Sequence, residues 1–316
     1  MPSALAPTTI VVTGAGGPAG VAVIRTLSAQ GHTIIAADAD PSGVGLRLGA
    51  FGAVLPRCDD PRFLGALQDL GRAHGATVVI STVAEELVVI GDAADELAEA
   101  GLSSWMPSRA AVERCVDKWA FAQALESTGI SVPATGLTPD GIDGPWIVKP
   151  RFGRGSRDVF SVEDPADFEY IFRHLPSPIV QHRLEGREFT ADALVDRDGS
   201  VAGLAARWRL ETKAGISTKG ETFQNPSVTA LVQDTVRALG LTGPACVQGF
   251  VDAEGIASLV EVNPRFSGGL PLSLAAGCDL VGQYLGAILG REIDRSALQT
   301  RPGVTMLRHF EEVFEG

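Results

Sequence analysis

Apolar residues follow two rhythms along the first third of this chain. Short continuous runs, Thr9-Ile10-Val11-Val12-Thr13, Thr33-Ile34-Ile35-Ala36-Ala37-Asp38 and 77–81, alternate with stretches in which apolar positions return every three or four residues. Val21, Ile24 and Leu27 do so, and the same spacing recurs through 63–73 and 85–100. Strands buried on both faces and separated by amphipathic helices predict a doubly wound parallel sheet. Ser104-Trp105-Met106-Pro107-Ser108 closes that unit, and Ser108 is placed to cap a helix running into Asp117-Lys118-Trp119. Beyond a further helix over 121–129, strand patterns dominate: 146–150, 159–162 and 179–184, then two hairpins. The first hairpin joins 190–196 to 200–210 through Arg197-Asp198-Gly199, and the second joins 245–251 to 256–263 through 252–255. Helices over 270–277 and 279–289 and a late strand at 304–308 complete an expected α/β region followed by an α+β region.

Composition narrows the picture. A chain of 316 residues has room for two domains or three small ones, and 45% hydrophobic with 20% charged residues is globular. A formal charge of −12 argues against a nucleic-acid surface, which needs a basic stripe. Only Lys118, Lys149, Lys213 and Lys219 are lysines, so each asks for an explanation. Cys58, Cys115, Cys246 and Cys278 are far apart and read as reduced thiols. No apolar run approaches the roughly 20 residues of a membrane span, and the N-terminus lacks a basic segment, so a cytoplasmic location is expected.

Two stretches carry candidate phosphate chemistry. In the first, Gly14, Gly17 and Gly20 fit T-G-x-x-G-x-x-G, with Asp38 where a ribose-binding acid would lie, which raises a nicotinamide-dependent oxidoreductase. Short-chain enzymes of that kind need a Tyr and a Lys four residues apart. Here His174 follows Tyr170 and Ile288 follows Tyr284, so the chemistry is missing. Glu85 and Glu86 lie beyond a strand end, where they could meet a substrate amine, although acids are favoured there by the helix dipole alone.

The second stretch is Leu259-Val260-Glu261-Val262-Asn263-Pro264-Arg265-Phe266-Ser267-Gly268-Gly269. Alternation puts Leu259, Glu261 and Asn263 on one side and Val260 and Val262 on the other. A carboxylate and an amide oxygen two residues apart are hard ligands of the kind Mg²⁺ takes, and Arg265 offers a fork of donors to phosphate oxygens. A hairpin centred on Ala253-Glu254 sets Gln248 opposite Leu259 and diagonal to Glu261, on the same face. Upstream, Trp146-Ile147-Val148-Lys149-Pro150 delivers Lys149 to the head of a loop rich in glycine and arginine, Arg151-Phe152-Gly153-Arg154-Gly155-Ser156-Arg157. The order strand, Lys, loop, strand is not that of a Walker A loop, which opens a helix.

Together these stretches resemble the ATP-grasp superfamily, in the branch similar to the large subunit of carbamoyl-phosphate synthetase. The resemblance covers essentially the whole chain. It implies a Rossmann-like pre-ATP-grasp domain over 1–106, a small lobe with a phosphate lid over 107–185 and a large lobe with the metal site over 186–316. It further implies that Lys118 and Lys149 reach ATP phosphates beneath Gly153, Gly155 and Ser156, and that Gln181 and the backbone of His182 and Leu184 hold adenine. Glu188 would take the ribose hydroxyls, and Gln248, Glu261 and Asn263 would hold Mg²⁺, two ions by this resemblance, with Mn²⁺ as a substitute. Arg265 would stabilise the transferring charge. Lys213 and Lys219, in a charged stretch with Arg207, Arg209, Glu211, Gly215 and Gly220, read as either a solvated loop or a lid over an acyl phosphate.

The implied activity is ATP-dependent ligation of a small-molecule carboxylate to an amine through an acyl phosphate. A phosphotransferase releasing an acyl or carbamoyl phosphate is the alternative on the same fold, and the oxidoreductase is the alternative of another class. The expected partners are small molecules, with no nucleic acid, no membrane, and a homodimer left open.

Overall fold

Three sheets organise the chain, in a computed structural model that describes residues 5–153, 155 and 157–315. The first holds β1 (Thr9–Thr13), β2 (Thr33–Asp38), β3 (Phe51–Val54) and β4 (Val78–Ser81), ordered β3-β2-β1-β4 with every neighbouring pair parallel. Helix α1 (Pro18–Ala29) covers one face, while α2 (Phe63–His74), α3 (Ala84–Asp92) and α4 (Ala94–Glu99) cover the other. That double cover is why β1 and β4 read as unbroken apolar runs. The rhythm does not announce β3, a four-residue edge strand whose side chains are largely exposed. The helix expected over 85–100 is two helices. It breaks at Ala93, just past Gly91, a poor helix former against which Met106 packs.

A small antiparallel sheet follows, with order β5-β8-β6-β7, from β5 (Thr135–Gly136), β6 (Trp146–Pro150), β7 (Phe160–Val162) and β8 (Pro178–His182). Helix α7 (Pro165–His174) packs Phe168 against Val148, Val162 and Val180 on one face. The third sheet is antiparallel and six-stranded: β9 (Arg187–Val195), β10 (Val201–Lys213), β11 (Ile216–Phe223), β12 (Gly243–Val251), β13 (Ala257–Asn263) and β14 (Thr305–Leu307), ordered β13-β12-β9-β10-β11-β14. One face is covered by α5 (Arg109–Val116), α6 (Lys118–Leu125) and α8 (Pro226–Leu239), which bury Cys115, Phe121, Leu125 and Val232 against Phe189, Val247 and Val262. Thus α5 and α6 belong by sequence to the middle segment but pack on the large sheet. α9 (Leu270–Ala275) and α10 (Leu280–Ile288) share an apolar core with α1, and the Tyr284 hydroxyl donates to the Trp105 carbonyl beneath stacked rings.

Local signals explain the starts of the two helices that matter most. Ser108 Oγ accepts from the Ala111 N–H at 3.3 Å, and Asp117 Oδ1 accepts from the N–H groups of Trp119 and Ala120 at 3.0 and 3.2 Å. The second helix therefore begins at Lys118 rather than Phe121. The charged stretch around Lys213 is not an irregular loop. It is the ordered β10–β11 hairpin, turning at Ala214-Gly215 where both residues take positive φ. All four cysteines are free thiols, and no helix among the described residues is long and apolar enough to cross a membrane.

Candidate functional site

Strand alternation brings two polar faces together. On the small sheet Val148 and Val180 point into the α7 core, so Ile147, Lys149, Ile179 and Gln181 share the opposite face. On the large sheet Phe189, Ala191, Val247 and Val262 point toward α5, α6 and α8, which turns Glu188, Gln248, Glu261 and Asn263 the other way. Lys149 is only 4% exposed, and the charge it senses most strongly is Glu261 on the other sheet. The two faces therefore enclose one cleft.

The β12–β13 register differs from expectation. Gln248 pairs directly with Glu261, not with Leu259, because one extra residue enters β13 between Leu259, opposite Gly249, and Glu261. This bulge at Val260 breaks the period of two. Leu259 consequently faces the core with Val262, and Val260 is the residue that leaves it. Gly249 makes room for the bulge, since a Cβ there would run into the Ser258 carbonyl and the Phe189 ring. The bulge sets an amide beside a carboxylate with a second amide two residues on. Asn263 Nδ2 donates to Glu261 Oε1 at 3.2 Å, and Arg265 Nη2 donates to Asn263 Oδ1 at 3.2 Å.

Charge in the cleft is dense and partly desolvated. Burial pulls the Lys149 ammonium down to about 8, Lys118 pulls it the same way, and Glu261 opposes both. Burial also lowers Lys118, against the pull of Glu261 and Asp117. Burial raises Glu188 above the usual carboxylate range; Arg209 counteracts this and Glu261 adds to it. Lys118 Nζ rests 3.1 Å from the Gly153 carbonyl.

Arg209 is a cleft residue that sequence reasoning passed over in favour of the lysines. Its guanidinium donates to Gln248 Oε1 at 3.0 Å, pairs with Glu188 at 2.8 Å and reaches the Gly215 carbonyl at 2.9 Å, while its Nε is buried without a partner. The signal was available: Ala206 and Trp208 are the apolar face of β10, so Arg207 and Arg209 must share the other. Arg207 is itself buried with Asp192 and donates to Ser267 Oγ at 2.9 Å, beneath the Ser267–Gly269 turn.

Lys213 and Lys219 do not join this cluster. Lys213 is exposed at the hairpin end, and Lys219 pairs with Glu211 at 2.7 Å. Gly220 pairs with Arg209, so the preceding Lys219 faces away from it. Gln181 is buried on the cleft face, its amide donating to Thr135 Oγ1 at 2.8 Å. The His182 N–H is committed to the Ala134 carbonyl at 2.9 Å, which leaves that group no part in holding a base. Leu184 is half-buried in the link from β8 to β9. Gly153 and Gly155 both take positive φ in the turn after β6, while Ser156 and Arg154 lie outside the described residues.

The glycine turn of the first sheet is closed on itself. Asp38 Oδ2 accepts from the Gly16 N–H at 2.7 Å, and its Oδ1 accepts from the Asp40 N–H at 2.9 Å. Gly20 permits the helix to start against the Gly14 carbonyl, which a Cβ would strike. Glu86 accepts from the Thr13 hydroxyl and from Ser81 Oγ at 2.7 Å, tying α3 to the ends of β1 and β4, and burial raises its carboxyl above the usual range.

Known proteins share this fold. A family model described as an ATP-grasp domain matches residues 115–269. The carbamoyl phosphate synthase large chain of Beutenbergia cavernae is 26% identical over 264 residues, 68% of this chain but 23% of that protein, so this chain spans about a quarter of it. Among solved structures, the β,γ-ATP complex of biotin carboxylase from Campylobacter jejuni superposes with a TM-score of 0.71 at 15% identity, covering 93% of this chain and 73% of that one. The L-amino acid ligase of Bacillus licheniformis superposes with a TM-score of 0.69 at 16% identity, covering 93% and 77%. At such identities the likeness is one of fold. Residues 115–269 match an ATP-grasp domain, and the chain resembles the large chain of carbamoyl phosphate synthase.

Proposed function

We propose that this protein is an ATP-dependent carboxylate–amine ligase for small-molecule substrates. The observation that carries the reading is the meeting of Lys118 and Lys149 with Glu261, Gln248 and Asn263 between two facing sheets. Two cations opposite a carboxylate flanked by amide oxygens suit a polyphosphate and a hard divalent cation together. On this reading residues 1–106 are a Rossmann-like pre-ATP-grasp domain, 107–185 the small lobe and 186–316 the large lobe. α5 and α6 then serve as a bridge docked on the large lobe.

The donor set fits Mg²⁺, being oxygen throughout: Glu261, Gln248 Oε1 and Asn263 Oδ1, two of which now accept from Arg209 and Arg265. Bound there, Mg²⁺ would neutralise phosphate charge. Lys149 and Lys118 hold phosphate oxygens from the small-lobe side, and Arg265 offers its fork from the large-lobe side. Glu188, steadied by Arg209, receives the ribose hydroxyls, and Gln181 with the chain through Leu184 lines the adenine side. A carboxylate oxygen of the acid attacks the γ-phosphorus, ADP leaves, and the amine displaces phosphate from the acyl phosphate. None of these steps asks for a protein nucleophile. The biotin carboxylase and L-amino acid ligase likenesses support the same reaction class.

The dinucleotide alternative has an observation against it, because Asp38 spends both oxygens on its own turn. The deciding experiment is ADP release with Mg-ATP against a panel of small acids, each with and without amines, beside calorimetry with ATP, NAD⁺ and NADP⁺. We expect ATP binding that requires Mg²⁺, no nicotinamide binding, and ADP release only when an acid and an amine are both present. ADP release with an acid alone would reassign the protein as a phosphotransferase. Micromolar NAD⁺ affinity without ATP affinity would overturn the proposal.

A further inference from the structure

Two lysines face one carboxylate in the cleft, and their mutual repulsion has to be held. Lys118 opens α6 and Lys149 lies next to the end of β6, each within the other's field. Like charges repel more strongly in a partly desolvated cleft than in water. Among the described residues, one ion pair ties the two elements beside these lysines. Asp117, immediately before Lys118, accepts from Arg151 Nε at 2.7 Å through Oδ1 and from Arg151 Nη2 through Oδ2. Arg151 is two residues past Lys149, with Pro150 between them fixing the backbone.

The tie is built into both backbones. The Asp117 carboxylate that takes the guanidinium also caps α6. The Arg151 carbonyl accepts from the Lys118 N–H at 3.2 Å, and the Arg151 N–H donates to the Ser177 carbonyl at 2.9 Å. The two side chains are 16% and 32% exposed, so the fork-to-fork pair is partly shielded from solvent. Lys118 Nζ donates to the carbonyls of Gly153, at 3.1 Å, and of Arg151 itself, at 3.5 Å. The chain that carries Arg151 thus holds the Lys118 ammonium where an incoming phosphate would compete for it.

On the reading of the site given above, we propose that the Asp117–Arg151 ion pair is a positioning device. It holds Lys118 and Lys149 at the separation a polyphosphate spans. Neither residue touches the phosphates. Their effect is to keep two mutually repelling cations in place before the anion arrives, so that binding does not have to assemble them.

Asp117→Asn keeps an oxygen for the α6 cap and removes the charge, while Arg151→Lys keeps the charge and removes the fork. Each variant and the double variant are measured for Mg-ATP affinity by calorimetry and for unliganded stability by urea denaturation. Each single change should weaken Mg-ATP binding by about tenfold, and the double variant should be little worse than the worse single one, as a shared interaction requires. Unliganded denaturation midpoints should barely move. Affinities within twofold of wild type would overturn the proposal, as would losses that simply multiply in the double variant. A drop in unliganded stability with no change in affinity would make the pair a helix cap and nothing more. Failure of the wild-type protein to bind Mg-ATP would remove the functional reading and this proposal with it. A binding wild type with unaffected variants would remove this proposal alone.

Discussion

The turn at Gly14–Gly20 and the stretch at Leu259–Gly269 look alike as sequences, each a buried strand leading into glycines near an acid. They differ in where their polar groups find partners. Asp38 returns to the Gly16 and Asp40 N–H groups, Thr82 Oγ1 donates to the Thr13 carbonyl, and Glu86 takes the Thr13 and Ser81 hydroxyls. Every one of these bonds stays within the first sheet and its connections. Glu261, by contrast, receives one long bond from Asn263, and its charge acts on Lys118 and Lys149, on α6 and the small sheet. A glycine turn whose donors are consumed by its own neighbours holds a fold. A cluster whose counter-charges sit on a separate element can take a ligand between them.

The largest effect should come from breaking the open cluster. Glu261→Gln keeps the shape and an acceptor for Asn263 but removes the one carboxylate facing both lysines. Turnover should fall by about 10²–10³, the loss of roughly 3–4 kcal/mol expected when a preorganised electrostatic group goes. Unliganded stability should change by about 1 kcal/mol or less, because Lys149 can neutralise once its partner is gone. Normal turnover at low Mg²⁺, or a collapse of the unliganded fold, would make Glu261 a structural residue.

Much of this contrast was legible in the sequence. Strands β1, β2 and β6 lie where the apolar runs set them, and the Ser108 and Asp117 caps follow from residue type. What escaped is what strict alternation cannot encode. The bulge at Val260 adds one residue, so it changes which side chain opposes Gln248 without altering the composition of the strand. Lysine scarcity drew attention to Lys213 and Lys219, although the alternation of β10 favours Arg209 and spends Lys219 on Glu211. Edge strand β3 is too short and too exposed to show a rhythm. The closure of the glycine turn was invisible because Asp38 has the same spacing whether it binds a ribose or its own backbone.

The closed turn supplies the reciprocal prediction. Asp38→Ala leaves the Gly16 and Asp40 N–H groups without their acceptor in a half-buried turn. Loss of a charge-assisted bond in such a place costs about 1–2 kcal/mol, less than at a fully buried site. Urea denaturation should show that loss, while Mg-ATP affinity stays within about twofold of wild type. A large fall in nucleotide affinity with unchanged stability would mean that the turn is a ligand site after all, and the contrast between the two regions would vanish.

The smallest effect, and the one most specific to the open cluster, is a pH dependence of opposite sign in two measurements. In the free protein Lys149 loses its proton near pH 8, whereas in the unfolded chain a lysine keeps it to about 10.5. Below pH 8 both states carry the proton and the folded protein bears the whole cost of a buried charge, up to roughly 3 kcal/mol. Between about pH 8 and 10.5 the unfolded chain binds more protons than the native one, so this group's contribution to stability rises with pH. Nucleotide binding has the reverse requirement, because only the ammonium neutralises phosphate. Mg-ATP affinity should therefore fall above pH 8, by about tenfold at pH 9. Lys149→Met separates this group from the general titration of an acidic protein. Subtracting its urea-denaturation profile from that of wild type should leave a term that becomes less unfavourable from pH 8 upward, and its weakened Mg-ATP binding should lack the alkaline fall. A wild-type affinity that stays flat to pH 10 would show that Lys149 is not desolvated against Glu261, and the cleft would then be as closed to ligand charge as the glycine turn.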